Sequence, residues 1–320
     1  MALSLTEAAK LSQDQVRRGV IESVVVNSLL LDKLPFITVS GNSYAYIREN
    51  ALGGAAFRAV NSGYTPTSGT YTKEHADLTR LGAISDLDKF IAETVEGTVE
   101  DQRAAELAGH SKSVQLEFHD AFINGDGDDD VFAGIETAIT SGQEVHADAE
   151  TGLKITGTSS EDRYTFFESV NELLSKVVGG ADLLIMNSQV LFKFQSAAQR
   201  ESMWVAGTDN FGNPIGFYNS IPLFDIGNNS AGSPIIAQNE NYGTADEGVY
   251  PVTNASTIYA VRFGTDAVAG IQGSKGVDVI DVGLITEDGK PAYRHLIEWH
   301  CGLAVHNPTS VAALRGVVIA

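Results

Sequence analysis

Between Asp88 and Ile135 apolar side chains recur at helical spacing: Ile91, Val95 and Val99, then Leu107, Val114, Phe118 and Phe122. Asp86 or Asp88 is placed to cap the start, and Asn124-Gly125-Asp126-Gly127 supplies the stop. The pattern predicts one helix over 88–124, about 35 residues and roughly 52 Å of rod. A compact globule of 320 residues has a radius of gyration near ~20 Å, hence a diameter of only about 50 Å. A helix as long as the whole molecule should be wide points to a plate rather than a ball.

A second long element is written near the other end with a different period. Tyr293, His295, Ile297, Trp299, Cys301, Leu303 and Val305 fall on one face of a strand, and Arg294, Leu296, Glu298, His300, Gly302, Ala304 and His306 on the other. Such a strand would be about 40 Å long, well beyond the usual five or six residues. A rod and a long sheet side by side would brace the plate.

The chain before the rod has less core of its own. Ser4-x-x-Glu7 matches a capping box, and a helical pattern runs on through Ala8, Ala9 and Leu11. The apolar clusters Val24-Val25-Val26 and Leu29-Leu30-Leu31 follow, stopped by Leu34-Pro35. Residues 1–35 read as an arm whose apolar surface is buried either on its own body or on another chain. Tyr44 to Arg48 then alternates like a strand and Thr70 to Leu81 like a return strand, around a Gly- and Ala-rich excursion with turn signals at Asn61-Ser-Gly63 and Thr65-Pro-Thr-Ser-Gly69. This describes an extended hairpin, and an excursion of that length tends to be functional.

Residues 136–290 are mixed. Ser159-x-x-Asp162 opens a helix with a buried face of Phe167, Val170, Leu174 and Val177, closed by Gly179-Gly180. Ala181 to Met186 is a short buried strand, with Asn187 or Ser188 capping a further helix to about Gln199. Strand signals follow at Gly216-Phe-Tyr, Ile221 to Asp225 and Ile258 to Phe263. The fold class is α+β.

Charge sharpens this picture. The net charge is -20, and it is unevenly spread. Residues 1–35 carry four basic and four acidic groups, residues 41–80 a net of +1, and residues 81–320 thirteen basic against thirty-four acidic groups. An acidic body does not suit phosphate backbones, whose binding rests on Lys and Arg. It does suit a less acidic front quarter lying across a neighbouring copy. No apolar run approaches the ~20 residues of a membrane span, and the start lacks the regions of a signal peptide.

The chemistry-bearing residues make no recognisable constellation. Cys301 is the single cysteine, so there is no internal disulfide. His300 and Cys301 point to opposite faces of one strand and cannot pair as base and nucleophile. Asp126 to Asp130 fails the calcium-loop pattern, because its sixth and twelfth positions are Val131 and Thr137. No zinc-protease, nucleophile-elbow or phosphate-loop motif is present. The sequence predicts no enzyme, no cofactor and no metal site.

The order of several segments resembles the major capsid proteins of tailed bacteriophages, which share the Hong Kong 97-type fold. The segments are Asp32 to Phe36, Tyr46 to Asn50 with Ala56-Phe-Arg58, Phe122 to Gly127, Ala181 to Asn187, Gly216 to Asp225 and Glu298 to Pro308. The resemblance implies an N-arm at 1–35, an extended loop over the next subunit at 36–80, and a peripheral domain at 81–135. That domain carries the spine helix and is completed by about 270–305, while 136–270 forms an axial domain with the tail 306–320 near it. It further implies pentamers and hexamers closing into an icosahedral shell around double-stranded DNA, in a virion assembled in host bacterial cytoplasm. Separate scaffolding and portal proteins are the expected partners, with room for decoration proteins and no membrane.

The candidate inter-subunit contact residues are Arg17, Arg18, Arg48, Glu49, Phe57 and Arg58, with Arg48 and Arg58 expected to reach acidic groups on an adjacent body. Some family members cross-link through a lysine in the extended loop; residues 49–72 contain none, so no such bond is expected. Two rival readings are a bacterial nanocompartment (encapsulin-type) shell and a soluble hydrolase built from folded-together Asp, His and Ser.

Overall fold

The computed structural model describes residues 28–94, 99–128, 130–147, 152–155, 160–208, 212–242, 252–287 and 289–319. Along the chain the elements are α1 (Leu29–Lys33), β1 (Phe36–Val39), β2 (Ser43–Ala51), β3 (Thr70–Asp77), β4 (Thr79–Asp88), α2 (Lys89–Thr94) and α3 (Val99–Asn124). Then come α4 (Ile135–Ala138), β5 (Glu144–His146), β6 (Leu153–Lys154), α5 (Ser160–Lys176), β7 (Leu183–Met186), α6 (Ser188–Arg200), β8 (Val205–Thr208), β9 (Pro214–Tyr218) and β10 (Ile221–Asp225). The last are β11 (Glu240–Tyr242), β12 (Val252–Val261), β13 (Val268–Glu287), β14 (Lys290–Val305) and β15 (Val311–Val318).

The predicted rod is described as two helices. Asp88 accepts the Phe90 N–H at 2.8 Å and so caps α2, as its position suggested. Residues 95–98 lie outside the described residues. The described helix after them, α3, has 26 residues and a length of about 39 Å.

Its end is built by close backbone approach. A Cβ on Gly125 would sit 2.1 Å from the Phe132 carbonyl oxygen, and one on Gly134 2.6 Å from that of Ile123. Only glycine lets the return strand lie this close to the helix end. Asn124 completes the stop by donating from Nδ2 to Asp120 Oδ1 (2.7 Å) and to the Ile235 carbonyl (2.9 Å).

A four-stranded sheet runs beside α3 in the order β1-β13-β14-β4, with β1 parallel to β13 and the other pairs antiparallel. The alternation read from the sequence holds in β14 as far as Cys301, after which Gly302 and Ala304 of the other face are buried as well, Ala304 in the cluster under the hairpin. His295, Ile297, Trp299, Cys301 and Leu303 are buried, while His300 is exposed. Trp299 stacks on Phe118 of α3 at 4.8 Å between ring centroids and meets Phe36 at 5.5 Å. A Cβ on Gly270 would stand 2.5 Å from the Phe36 ring, so its absence makes room for that ring.

The longest strand is β13, with 20 residues, in a stretch that the sequence pattern did not mark as a strand. Register shifts fall between Gln272 and Val277 and between Asp281 and Gly283, with Gly276 and Gly283 at positive φ (61° and 80°). These bulges break the two-residue period, so the pattern disappears from the sequence.

The last part of the predicted arm belongs to this core. Leu29, Leu30, Leu31, Leu34 and Phe36 are buried among Phe118, Phe122 and Trp299 of the same chain. Of the two burial modes left open for these leucines, the structure shows the chain's own body. Residues 1–27, with the Ser4 capping box and Val24 to Val26, lie outside the described residues.

The second sheet, with central order β5-β15-β12-β7-β10-β9-β8, is sandwiched between two cores. Leu183 and Ile185 of β7, Tyr259 and Val261 of β12, and Val311 and Ala313 of β15 face the core shared with α3. Their neighbours Leu184, Met186, Ile258, Ala260, Ala312 and Leu314 face α5 and α6, where Phe166, Phe167, Phe194 and Tyr218 cluster at 5.4–5.7 Å. Burial on both faces explains why these strands read as continuous apolar runs.

In α5 the buried set includes Leu173, with Leu174 only partly buried, a shift of one position from the expected face. Gly179 and Gly180 (φ 92° and 88°) end the segment as expected. Asn187 caps α6 by accepting the Gln189 N–H at 2.9 Å.

An ion-pair network joins the two cores. Arg315 of β15 pairs with Glu144 at 2.6 Å and with Glu136, whose other oxygen accepts the Tyr259 hydroxyl at 2.8 Å. Burial works against the Arg315 charge, but the two carboxylates outweigh it and raise its pKa.

Candidate assembly surfaces

The hairpin β2–β3 is a two-stranded ribbon outside the hydrogen bonding of both sheets, paired from Ser43↔Asp77 to Ala51↔Thr70 with a register shift after Glu49. Its base packs through Tyr44, Tyr46 and Ala76 on Val39, Ile271 and Ala304 of the four-stranded sheet. Its residues alternate in exposure. Ala45, Ile47 and Glu49 face outward, while Tyr44, Tyr46 and Arg48 are half-buried toward the body. Beyond the strands, residues 52–68 are all exposed.

The excursion nevertheless has internal order. Thr67 donates from Oγ1 to the Gly54 carbonyl at 2.7 Å, Ser62 from Oγ to the Ala59 carbonyl at 2.8 Å, and Arg58 from Nη1 to the Ser62 carbonyl at 3.0 Å. The Arg58 guanidinium also lies 5.4 Å from the Tyr64 ring centroid. This bracing presents Phe57 and Val60 to solvent, Phe57 with no shielding at all (108% relative exposure) and Val60 at 92%. Ile47, Leu52, Tyr64 and Tyr71 are exposed on the same hairpin. Six large apolar side chains exposed on the outer face and tip of a hairpin that packs by its base mark a contact surface.

A second apolar surface lies at the far end of the four-stranded sheet. Ile280, Leu296 and Ile84 form one row across β13, β14 and β4, with Ile280 and Ile84 exposed and Phe90, Ile91, Val282 and Leu284 exposed nearby in the chain. Beside the row, Arg294 grips Asp86 through two bonds of 2.7 Å and lowers its pKa.

The candidate contact residues are placed as follows. Phe57 and Arg58 are on the hairpin tip, and Glu49 is on the outer face of β2 opposite Tyr71. Arg48 is turned to its own chain. It donates from Nη2 to the Val305 carbonyl at 2.9 Å and lies 3.6 Å from Glu74. Its place on the inward-facing period of β2 explains this, since its neighbours Tyr44 and Tyr46 face the same way. Arg17 and Arg18 lie outside the described residues.

The sequence reading missed the seat of the hairpin. Tyr46 donates to the Val305 carbonyl at 3.1 Å, and His306 Nε2 is 3.4 Å from the Tyr44 hydroxyl. The His306 ring lies 4.7 Å from Tyr46 and 5.8 Å from Tyr44. Two tyrosines at alternate positions of a strand were the available signal. Next to this seat opens a cleft of about 930 Å³, lined by Arg48, His75, Asp77, Arg80, Asp128 and Asp130 among others.

The remaining chemistry is structural in placement. Cys301 is buried with its thiol pKa pushed up by burial, and His300 is on the opposite face beside Glu298 at 3.4 Å. His119 is buried with Nε2 2.7 Å from Ser28 Oγ, and burial lowers its pKa to about 4. Among the described residues no group of three or more His, Cys, Asp or Glu side chains is arranged for a metal ion, and no helix is long and apolar enough to cross a membrane.

A rod beside a long sheet, an outstretched hairpin and a second sheet between two cores define the α+β fold of viral head and encapsulin shell proteins, the Hong Kong 97-type capsid fold. The chain is similar to the SrpI encapsulin of Synechococcus elongatus, with a TM-score of 0.61 and 15% identity over 89% of this chain and 86% of that one. The capsid of a native GTA particle gives 0.60 and 12% identity, over 89% of each chain. A structure from Mycobacterium phage Bobi gives 0.57 and 14% identity, over 98% of each. No protein-family model matches the sequence, and no curated protein matches it.

Proposed function

We propose that this chain is the major head protein of a tailed bacteriophage, assembling through pentamers and hexamers into an icosahedral shell around double-stranded DNA. The observation that carries the shell reading is the hairpin. Six exposed apolar side chains sit on the outer face and tip of the hairpin, beyond the part that packs on its own body, and in this reading a neighbouring copy supplies the surface that covers them. Head-to-tail contacts of this kind are heterologous and close into rings. The likeness to the Mycobacterium phage structure over 98% of both chains supports the phage assignment.

In this reading 1–35 is the arm, although its last residues are rooted in the chain's own core. Residues 36–80 form the extended loop, 81–135 with about 270–305 the peripheral domain, and 136–270 the axial domain. The tail 306–320 then contributes β15 to the axial sheet, between β12 and the short strands β5 and β6. Arg17, Arg18, Arg48, Glu49, Phe57 and Arg58 are the inter-subunit candidates, Arg48 from its seat beside Glu74 of its own chain, with scaffolding and portal proteins as separate partners.

The encapsulin likeness supports a second reading, a nanocompartment shell around protein cargo. The contents of particles isolated from their natural source discriminate. Nuclease-protected genome-length DNA supports the phage reading, whereas a stoichiometric enclosed protein without DNA overturns it in favour of the nanocompartment.

A further inference from the structure

The hairpin meets its body at a small cluster whose parts are unevenly satisfied. The Val305 carbonyl accepts from both Tyr46 (3.1 Å) and Arg48 Nη2 (2.9 Å), at the point where β14 ends. The next residue, His306, is wedged between that carbonyl and two stacked tyrosines, Tyr44 and Tyr46, 5.9 Å apart. Its backbone N–H donates to the Ala267 carbonyl at 2.8 Å, and its Nδ1 lies 3.3 Å from the same oxygen. Yet Arg48 Nε is buried with no acceptor. A buried donor without a partner opposes the closed arrangement and regains a partner in water when the contact opens.

We propose that His306, Tyr44, Tyr46 and Arg48 form an acid-sensitive latch, which holds the hairpin against its own body at neutral pH and frees it when His306 is protonated. The proposal rests on the seat of the hairpin in a single copy and is independent of the shell reading.

The charges around His306 set the direction. From β2, Arg48 faces it with a permanent positive charge, and Tyr44 and Tyr46 are neutral phenols; from β3, Glu74 is engaged with Arg48 at 3.6 Å. From the turn before β13, Asp266 attracts a proton to the ring but is shared with Arg262 at 2.8 Å. Burial disfavours the imidazolium most strongly. The Ala267 carbonyl and Asp266 partly offset burial and Arg48 reinforces it, so the pKa of His306 lies below its ordinary 6.5 in the closed state. Released into water, the ring recovers that ordinary value. Protons therefore bind the open state more tightly, and lowering the pH through this window drives the equilibrium toward it.

Two spin labels on the full chain, at Ser68→Cys on the hairpin and Ser113→Cys on α3, report the hairpin position by pulsed electron resonance, at concentrations too low for assembly. The wild-type background is expected to show one narrow distance at about pH 8. At about pH 5 a displaced or broadened population should grow relative to pH 8, with unchanged far-ultraviolet circular dichroism. His306→Gln keeps a neutral hydrogen-bonding group and is expected to hold the narrow distance at both pH values. Asp266→Asn removes the nearby anion that steadies the imidazolium in the closed state, without touching the latch bonds, and is expected to enlarge the open population in acid and move the transition to higher pH. A wild-type distance independent of pH overturns the proposal, as do a His306→Gln variant that still opens in acid, an Asp266→Asn transition that stays put, and global unfolding by about pH 5.

Discussion

Replacing Phe57 with serine separates folding from assembly. Phe57 is fully exposed within its own chain, so its removal deletes no intramolecular packing, and the braces from Arg58, Ser62 and Thr67 around it use other atoms. The thermal midpoint of the unassembled chain should therefore stay within experimental error. In the proposed shell each copy would seat one such ring on a neighbour, and burying a phenylalanine is worth about 1.5–3 kcal/mol. At ~1.4 kcal/mol per tenfold, the concentration at which shells first form should rise roughly 10- to 150-fold. Light scattering across a dilution series, followed by sedimentation of the products, reads that threshold. An unchanged threshold would refute the docking of this ring. A lowered thermal midpoint at constant threshold would show instead that the tip packs on its own body.

Three further outcomes follow from the core. His119 is neutral when folded, with a pKa of about 4 against 6.5 when unfolded. The unfolded chain thus takes up the proton first, and stability is full above 6.5 and declines as pH falls toward 4, by ~3 kcal/mol in all. Urea midpoints across that range should fall steeply for the wild type and less for His119→Phe. Arg315→Met strands the Glu136 and Glu144 carboxylates at a half-buried junction and should destabilise by about 2–3 kcal/mol, with a second change, Glu144→Gln, recovering part of the loss in a double-mutant cycle. Gly270→Ala forces a methyl into the Phe36 ring, 2.5 Å away, and should lower stability by about 1–3 kcal/mol, measurable as a reduced denaturation midpoint.

Where an element repeats regularly against one environment, its sequence announced it. The alternating β14, the Asn124-Gly125 stop and the Asp88 and Asn187 caps are local physics and were legible. β13 was not, because its bulges and glycines interrupt the period that identifies a strand. The leucines of α1 show a different limit: an apolar cluster demands burial without saying in which molecule. Arg48 shows a third, since its direction depends on the phase of β2, which is fixed by the contacts of Tyr44 and Tyr46 with His306 some 260 residues away. The apolar tip was legible only in Phe57; that Val60, Leu52 and Ile47 are exposed with it depends on which face of the hairpin packs on the body.

Electron microscopy of the purified full-length chain tests the central claim most directly. The account predicts closed hollow shells at sufficient concentration, with the hairpin of every copy lying on the copy beside it and Phe57 covered there. Single copies at every concentration, with the hairpin tip folded onto their own sheets, would contradict it.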